Sequence, residues 1–184
     1  MRRVRRIMIG VAVGVMASAG GGVAGAVPAG TAGSTAAVPA VAAHRDVPEA
    51  IRVPEGHKRI AVMPATGVQT YQCTAGAWTF VQPDAILRYR GRAEVLHTKG
   101  PVWTSVRDGS SVTAAAQASS PVAGAIPELL LKSTGNRGPG LLSAVAYIQR
   151  LHTTGGVAPA VPCAEVVTAS VPYTADYAFW VAAN

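Results

Sequence analysis

An all-β fold, a single-domain sandwich or barrel of short antiparallel strands, is what this sequence predicts. Three observations carry that expectation. Apolar and polar residues alternate over short runs, as in Gly67–Cys73, where Gln69, Tyr71 and Cys73 share one face. Aromatic and β-branched residues fill other short runs, such as Ala77–Val81. Gly, Pro, Asn and Asp recur between the runs as turn signals. The chain has 184 residues, which suits one domain.

The first 26 residues read as a secretory signal peptide. Met1–Arg6 holds four arginines, Ile7–Val23 is uncharged and apolar, and Ala24-Gly25-Ala26 is a small-x-small cleavage site. The apolar stretch is short for a membrane span and is diluted by Gly10, Gly14 and Gly20–Gly22. The paired arginines admit the twin-arginine route, but Ile7-Met8-Ile9 favours general secretion. The expected location is extracellular, with no membrane attachment after cleavage. Residues 27–46, rich in Ala, Pro and Gly, read as a flexible leader, and residues 47–184 as the β-rich domain.

Charge follows from that division. The chain carries 16 Lys and Arg against 9 Asp and Glu. Without the four leading arginines the net charge is +3. No Lys/Arg run remains, and Arg88, Arg90 and Arg92 alternate as the wet face of a strand would, so nucleic acid is not an expected partner. Cys73 and Cys163 are the two cysteines, and in an exported chain they are expected to form a disulfide closing a loop of 90 residues.

Within the domain, Pro48 and Pro54 prevent a long helix before the first strand. Arg59–Met63 is a short apolar run stopped by Pro64, and Gly67–Cys73 is the next strand. Ala75-Gly76 is a turn, and Ala77–Val81 a strand ending at Pro83-Asp84. Ala85–Tyr89 and Glu94–Thr98 follow, with Gly91 between them. Gly100-Pro101 breaks the backbone, Trp103 begins another apolar segment, and Asp108-Gly109 is a hairpin signal. A strand is expected from Ser111. Ile126–Lys132 looks buried, and Ser133–Gly140 is loop by composition. Leu141–Leu151 fits both periods. Tyr147-Ile148 and the preceding Gly140 favour a strand, with a short helix near 141–151 as the alternative. Pro159–Cys163 is loop, and Tyr173–Val181 the final strand.

One ordered set of motifs runs through this domain: His97-x-x-Gly100-Pro101-x-Trp103, Asp108-Gly109-Ser110, Ile126-Pro127 with Leu129–Leu131, Ile148-Gln149-Arg150-Leu151-x-Thr153-x-Gly155-Gly156, and Val171–Tyr177 with Phe179. The set resembles the exported domain-of-unknown-function family 3455, bacterial with fungal relatives, over roughly residues 47 to 182. Departures are Glu128, where that family more often has Trp, and Thr98-Lys99, where Tyr-Ala is expected. The resemblance implies class and location and carries no activity with it.

The residues themselves offer two readings of function. Trp78, Trp103, Tyr173 and neighbouring polar groups, His97, Asp108 and Asp176, are the types that bind a sugar or other surface ligand by stacking and hydrogen bonding. That reading is a non-catalytic extracellular or cell-envelope module, with an envelope polysaccharide as the expected partner and no cofactor. The alternative is a secreted hydrolase or metal-dependent enzyme using His97, Asp108, His152 and Asp176. It lacks a G-x-S-x-G elbow, and no H-x-H or H-E-x-x-H pair marks a metal site. Glu94, Asp108, Glu128 and Asp176 are the acids from which a glycosidase pair would be drawn.

Overall fold

The computed structural model describes residues 47–164 and 167–183. A 3-10 turn, Glu49–Ile51, precedes eight strands: β1 His57–Thr74, β2 Ala77–Tyr89, β3 Arg92–Thr98, β4 Val102–Ser105, β5 Ser111–Val122, β6 Ala125–Arg137, β7 Val145–Gly155 and β8 Thr168–Ala182. Each strand is antiparallel to its neighbours in sequence. β8 returns to β1, in pairs that run from His57–Ala182 to Gln72–Thr168, and the sheet closes as a barrel. Closure leaves no edge strand exposing unpaired N–H and C=O groups.

Local chemistry explains the tight connections. Ala75-Gly76 and Arg90-Gly91 each place two successive residues at positive φ, 51° and 78°, then 48° and 78°. That is the backbone of a two-residue hairpin whose twist matches its strands, and glycine at the second position removes half the steric cost. At Gly67 the reason for glycine is packing instead. A Cβ there would run into the Asp84 carbonyl and Ala85 of β2.

Several strands run further than the sequence pattern suggests. β1 continues through Pro64, which pairs with Asp176, and β2 continues through Pro83, which pairs with Gln69. A proline removes one donor to one neighbour, while its carbonyl and the flanking residues still pair. β6 runs on to Arg137, so Ser133–Arg137 is strand and not loop. Its Ser/Thr-rich end pairs with that of β5, where the Thr134 hydroxyl donates to Thr113 Oγ1 at 3.0 Å. Arg88 is the second-last residue of β2, Arg90 lies in the turn and Arg92 begins β3, so these three do not form one strand face. β7 decides the ambiguous 141–151 segment: residues 141–144 are turn, and the strand starts at Val145.

The core lies inside the barrel. Met63, Leu87, Val95, Trp103, Val112, Leu142, Ile148, Tyr177 and Phe179 form its most buried part. A second cluster packs on the outer wall, where Ile51 of the 3-10 turn is buried against Leu130, Tyr147 and Leu151. The Gln149 amide donates to the Ile51 carbonyl at 2.7 Å and accepts from Trp180 Nε1 at 2.9 Å, fixing the incoming chain to β7 and β8.

The connection from β7 to β8 is the longest in the barrel. It is held by the Cys73–Cys163 disulfide, by a backbone bond from Cys73 N to the Val167 carbonyl at 2.9 Å, and by Trp78 Nε1 donating to the Val161 carbonyl at 3.0 Å. The disulfide spans 90 residues. Loop-closure entropy for that span corresponds to about 4–5 kcal/mol. The double variant Cys73→Ser/Cys163→Ser is therefore expected to lose about 4 kcal/mol of unfolding free energy in guanidinium titrations, with the far-ultraviolet spectrum of a β-barrel retained.

Candidate functional site

Four chain connections gather at one end of the barrel: the turns β1–β2, β3–β4 and β5–β6, and the β7–β8 connection. Beneath them is a cavity of ≈ 480 Å³. Its walls are largely apolar, from Phe80, Pro101, Ile126, Leu129 and Leu131 among others. The volume falls in the range of small-molecule pockets, roughly 300–1,000 Å³. Eight strands enclose a space that side chains can just fill, or that can hold one small ligand.

At depth the cavity meets an aromatic stack. His97 of β3 and Trp103 of β4 are register partners, so their side chains emerge on the same inner face. Their rings lie 4.1 Å apart and 4° from parallel, and Tyr177 of β8 meets both edge-on. His97 Nδ1 is 3.1 Å from the Val102 carbonyl, which can only accept, so Nδ1 carries the proton. Burial lowers the imidazole pKa to about 4, against a smaller opposing effect of that same hydrogen bond. At neutral pH His97 is uncharged, and its Nε2 keeps a lone pair.

The polar groups of the cavity form a sparse set. Arg150 of β7 pairs in register with Tyr177 on one side and Leu129 on the other, which turns it inward. Its Nε and Nη2 donate to the Pro127 carbonyl at 3.1 and 2.8 Å. The Tyr177 and Tyr173 hydroxyls lie 3.3 Å apart, and Tyr71 donates to the Gly156 carbonyl at 2.7 Å. Burial raises the pKa of all three phenols, so they are neutral donors. Two buried donors have no protein acceptor among the described residues: Gln69 Nε2 and Trp103 Nε1. Both residues line the cavity and are at most 3% exposed.

The residues expected from sequence to form a site are thus divided. His97 and Trp103 line the cavity, and Tyr173 supports it through Tyr177. Trp78 holds the β7–β8 connection. Asp108 lies in the β4–β5 loop, where its carboxylate accepts from the Ser110 hydroxyl at 2.6 Å, the Ser110 amide at 2.9 Å and the Leu141 amide at 3.0 Å. Those bonds, the Ser110 hydroxyl first, hold its carboxyl well below the usual carboxylate range. Asp176 faces outward from β8, and its Oδ2 lies 2.9 Å from His152 Nδ1. His152 sits within β7, not in a loop, at a register shift against β8 and with φ 51°. Glu128 accepts from the His152 amide at 2.7 Å. No hydroxyl hydrogen-bonds His152 Nε2 among the described residues, and no group of three or more His, Cys, Asp or Glu side chains converges there to hold a metal.

A family model described as Protein of unknown function (DUF3455) matches residues 90–181. The chain belongs to that family. The DUF3455 match spans β3 to β8 and so includes His97, Trp103, Leu129, Arg150 and Tyr177, while Gln69, Tyr71 and Phe80 come from strands before it. No curated protein and no solved structure matches the chain.

Arg150, Tyr177 and Leu129 stand in the motifs that carry the family resemblance but were not assigned to a site, and neither was Gln69. A signal existed for Gln69, a polar residue sharing a strand face with Tyr71 and Cys73. The motif did not show that Arg150 faces inward, because its face depends on how β7 is paired.

The His97 environment predicts a pH response of this DUF3455 domain. The folded pKa lies below the ordinary histidine value of 6.5, so the unfolded chain takes up the proton first as pH falls. The neutral ring costs nothing above pH 6.5, and stability declines from there to about pH 4 by about 3 kcal/mol. Urea titrations at pH 7, 5.5 and 4 check this, and His97→Gln should flatten that part of the profile. Asp108 acts lower. Its folded pKa is depressed, so its contribution is present above the ordinary value and is lost as pH falls below it. Asp108→Asn should lower Tm at pH 7 and narrow the difference from the unmodified protein in strong acid.

Proposed function

We propose that this domain is an exported receptor for a small, partly apolar molecule, which lodges in the barrel at the end that carries the disulfide. One observation carries the reading. Gln69 Nε2 and Trp103 Nε1 are buried without an acceptor among the described residues, and both residues line an apolar cavity of ligand size. An unsatisfied buried donor costs about 1–3 kcal/mol, which a ligand acceptor would recover. The leading signal-peptide pattern and the Cys73–Cys163 disulfide support an oxidising, extracytoplasmic setting. Among the described residues, no helix is long and apolar enough to cross a membrane.

The placement of the tryptophans favours an interior ligand over a polysaccharide stacked on the outer wall. Trp103 is 1% exposed, and Trp78 is engaged with Val161. The alternative, an enzyme, draws on the His152–Asp176 pair and its strained backbone, a feature that often accompanies function.

Titration of the purified protein with the neutral fluorescent dye N-phenyl-1-naphthylamine tests the reading. One saturable site is expected, with binding weakened at least tenfold by Leu129→Trp, which fills the cavity, while Tm stays within a few degrees. Dye binding indifferent to Leu129→Trp, together with sedimentation on cell-envelope polysaccharide that Trp78→Ala abolishes, would overturn it in favour of a surface-binding module. Ester hydrolysis lost on His152→Ala, in a protein that still folds, would favour the enzyme.

A further inference from the structure

The charge inside the cavity narrows the ligand class. Among the described residues that line it, Arg150 is the one ionised side chain on the inner wall, and Lys99, exposed in the β3–β4 turn, adds a second cation only at the rim. No carboxylate oxygen lies within 4 Å of Arg150 among the described residues; the two acid–base pairs are Arg107–Glu94 and His152–Asp176. A guanidinium stays charged at any pH that a protein meets. Two of its five N–H donors are spent on the Pro127 carbonyl and a further one is engaged by the Tyr177 hydroxyl, which fixes the plane of the group and leaves the remaining donors for a partner. Its charge is felt around the deep wall, where it lowers the pKa values of Tyr71, Tyr173 and Tyr177 against the effect of burial and that of His97 in the same direction as burial, with Asp84 opposing it at His97 and Tyr173.

A single cation among apolar walls matches a single negative charge. A phosphate monoester carries roughly −1.5 to −2 at neutral pH and would bring uncompensated charge into a site that penalises it. A carboxylate carries one charge, and its planar pair of oxygens matches the guanidinium fork. Arg150 is level in register with Tyr177, and its guanidinium is anchored at the carbonyl of Pro127, an exposed residue of β6.

We propose that the cavity binds an amphipathic monocarboxylate, with its carboxylate on Arg150, Gln69 and Trp103 as neutral donors, and its apolar body against Ile126, Leu129 and Leu131. This rests on the pocket reading above and names its substrate class. Neutral His97 is compatible with the guest, since Nε2 neither adds nor removes charge.

The test is displacement of N-phenyl-1-naphthylamine from the full protein by octanoate, dodecanoate and cinnamate, each beside its methyl ester. At least one acid should bind at least tenfold more tightly than its ester. In Arg150→Gln that preference should vanish while ester binding persists. The acid–ester comparison on the unmodified protein needs no variant, so a misfolded Arg150→Gln does not protect the proposal. Acids and esters that bind alike, both weakened by Leu129→Trp, would overturn the carboxylate and leave the pocket standing. Failure of all three acids to displace the dye would likewise overturn it. Binding of dye and acids indifferent to Leu129→Trp would overturn both.

Discussion

Closure of the sheet between β1 and β8 is the constraint on which the rest of this structure depends. These are the first and last strands, and their pairing extends along almost the full length of both. It brings together residues more than 90 positions apart in sequence, so it forms at a large cost in chain entropy. What offsets that cost is the interior. Tyr173, Ala175, Tyr177 and Phe179 of β8 and Ala61, Met63 and Ala65 of β1 enter the same core cluster only when the two strands meet. The disulfide and the Trp78–Val161 bond act near the same seam, on the connection that leads into β8.

Closure also sets the chemistry of the interior. A barrel of eight strands has an inner space of fixed width, and here large side chains fill one end. At the other end the filling stops at the His97–Trp103 stack and Tyr177, and the remaining space is bordered by aliphatic residues. Asp108 reinforces the filled end, since its loop bonds reach across to Leu141 and position the buried Leu142. The open end keeps a cation and two unsatisfied donors that an all-apolar core would have excluded. A core built only for stability avoids such groups, so their presence next to a cavity supports the proposed binding role.

The outer wall is treated differently. There the acids are matched by neighbours: Glu94 with Arg107, Glu128 with the His152 amide, and Asp176 with the His152 ring. These contacts join adjacent strands and need no ligand. They also separate residues that look catalytic as a set in the sequence. Asp176 and His152 meet on the outside of the β7–β8 pair, whereas His97 is inside, on β3.

The all-β class and the pairing of Cys73 with Cys163 were legible in the sequence, because both follow from local rules: alternation over short runs, turn residues at defined positions, and two cysteines in a chain with an export pattern. Strand ends were less legible. Proline and serine-rich composition marked Pro64, Pro83 and Ser133–Gly140 as breaks, yet pairing on both sides carried the strands through Pro64, Pro83 and as far as Arg137. Whether β7 was strand or helix depended on partners, β6 and β8, that local pattern does not name. The candidate site belongs to this second kind. Its members come from β1 through β8, and each looks ordinary in its own strand. The sequence alone determined which residues could face inward together, because side-chain alternation is a property of a single strand. Only the tertiary structure decided which inward faces meet, because register and closure are set by contacts between strands far apart in the chain, and it is those contacts that place Arg150, Gln69 and Trp103 around one cavity.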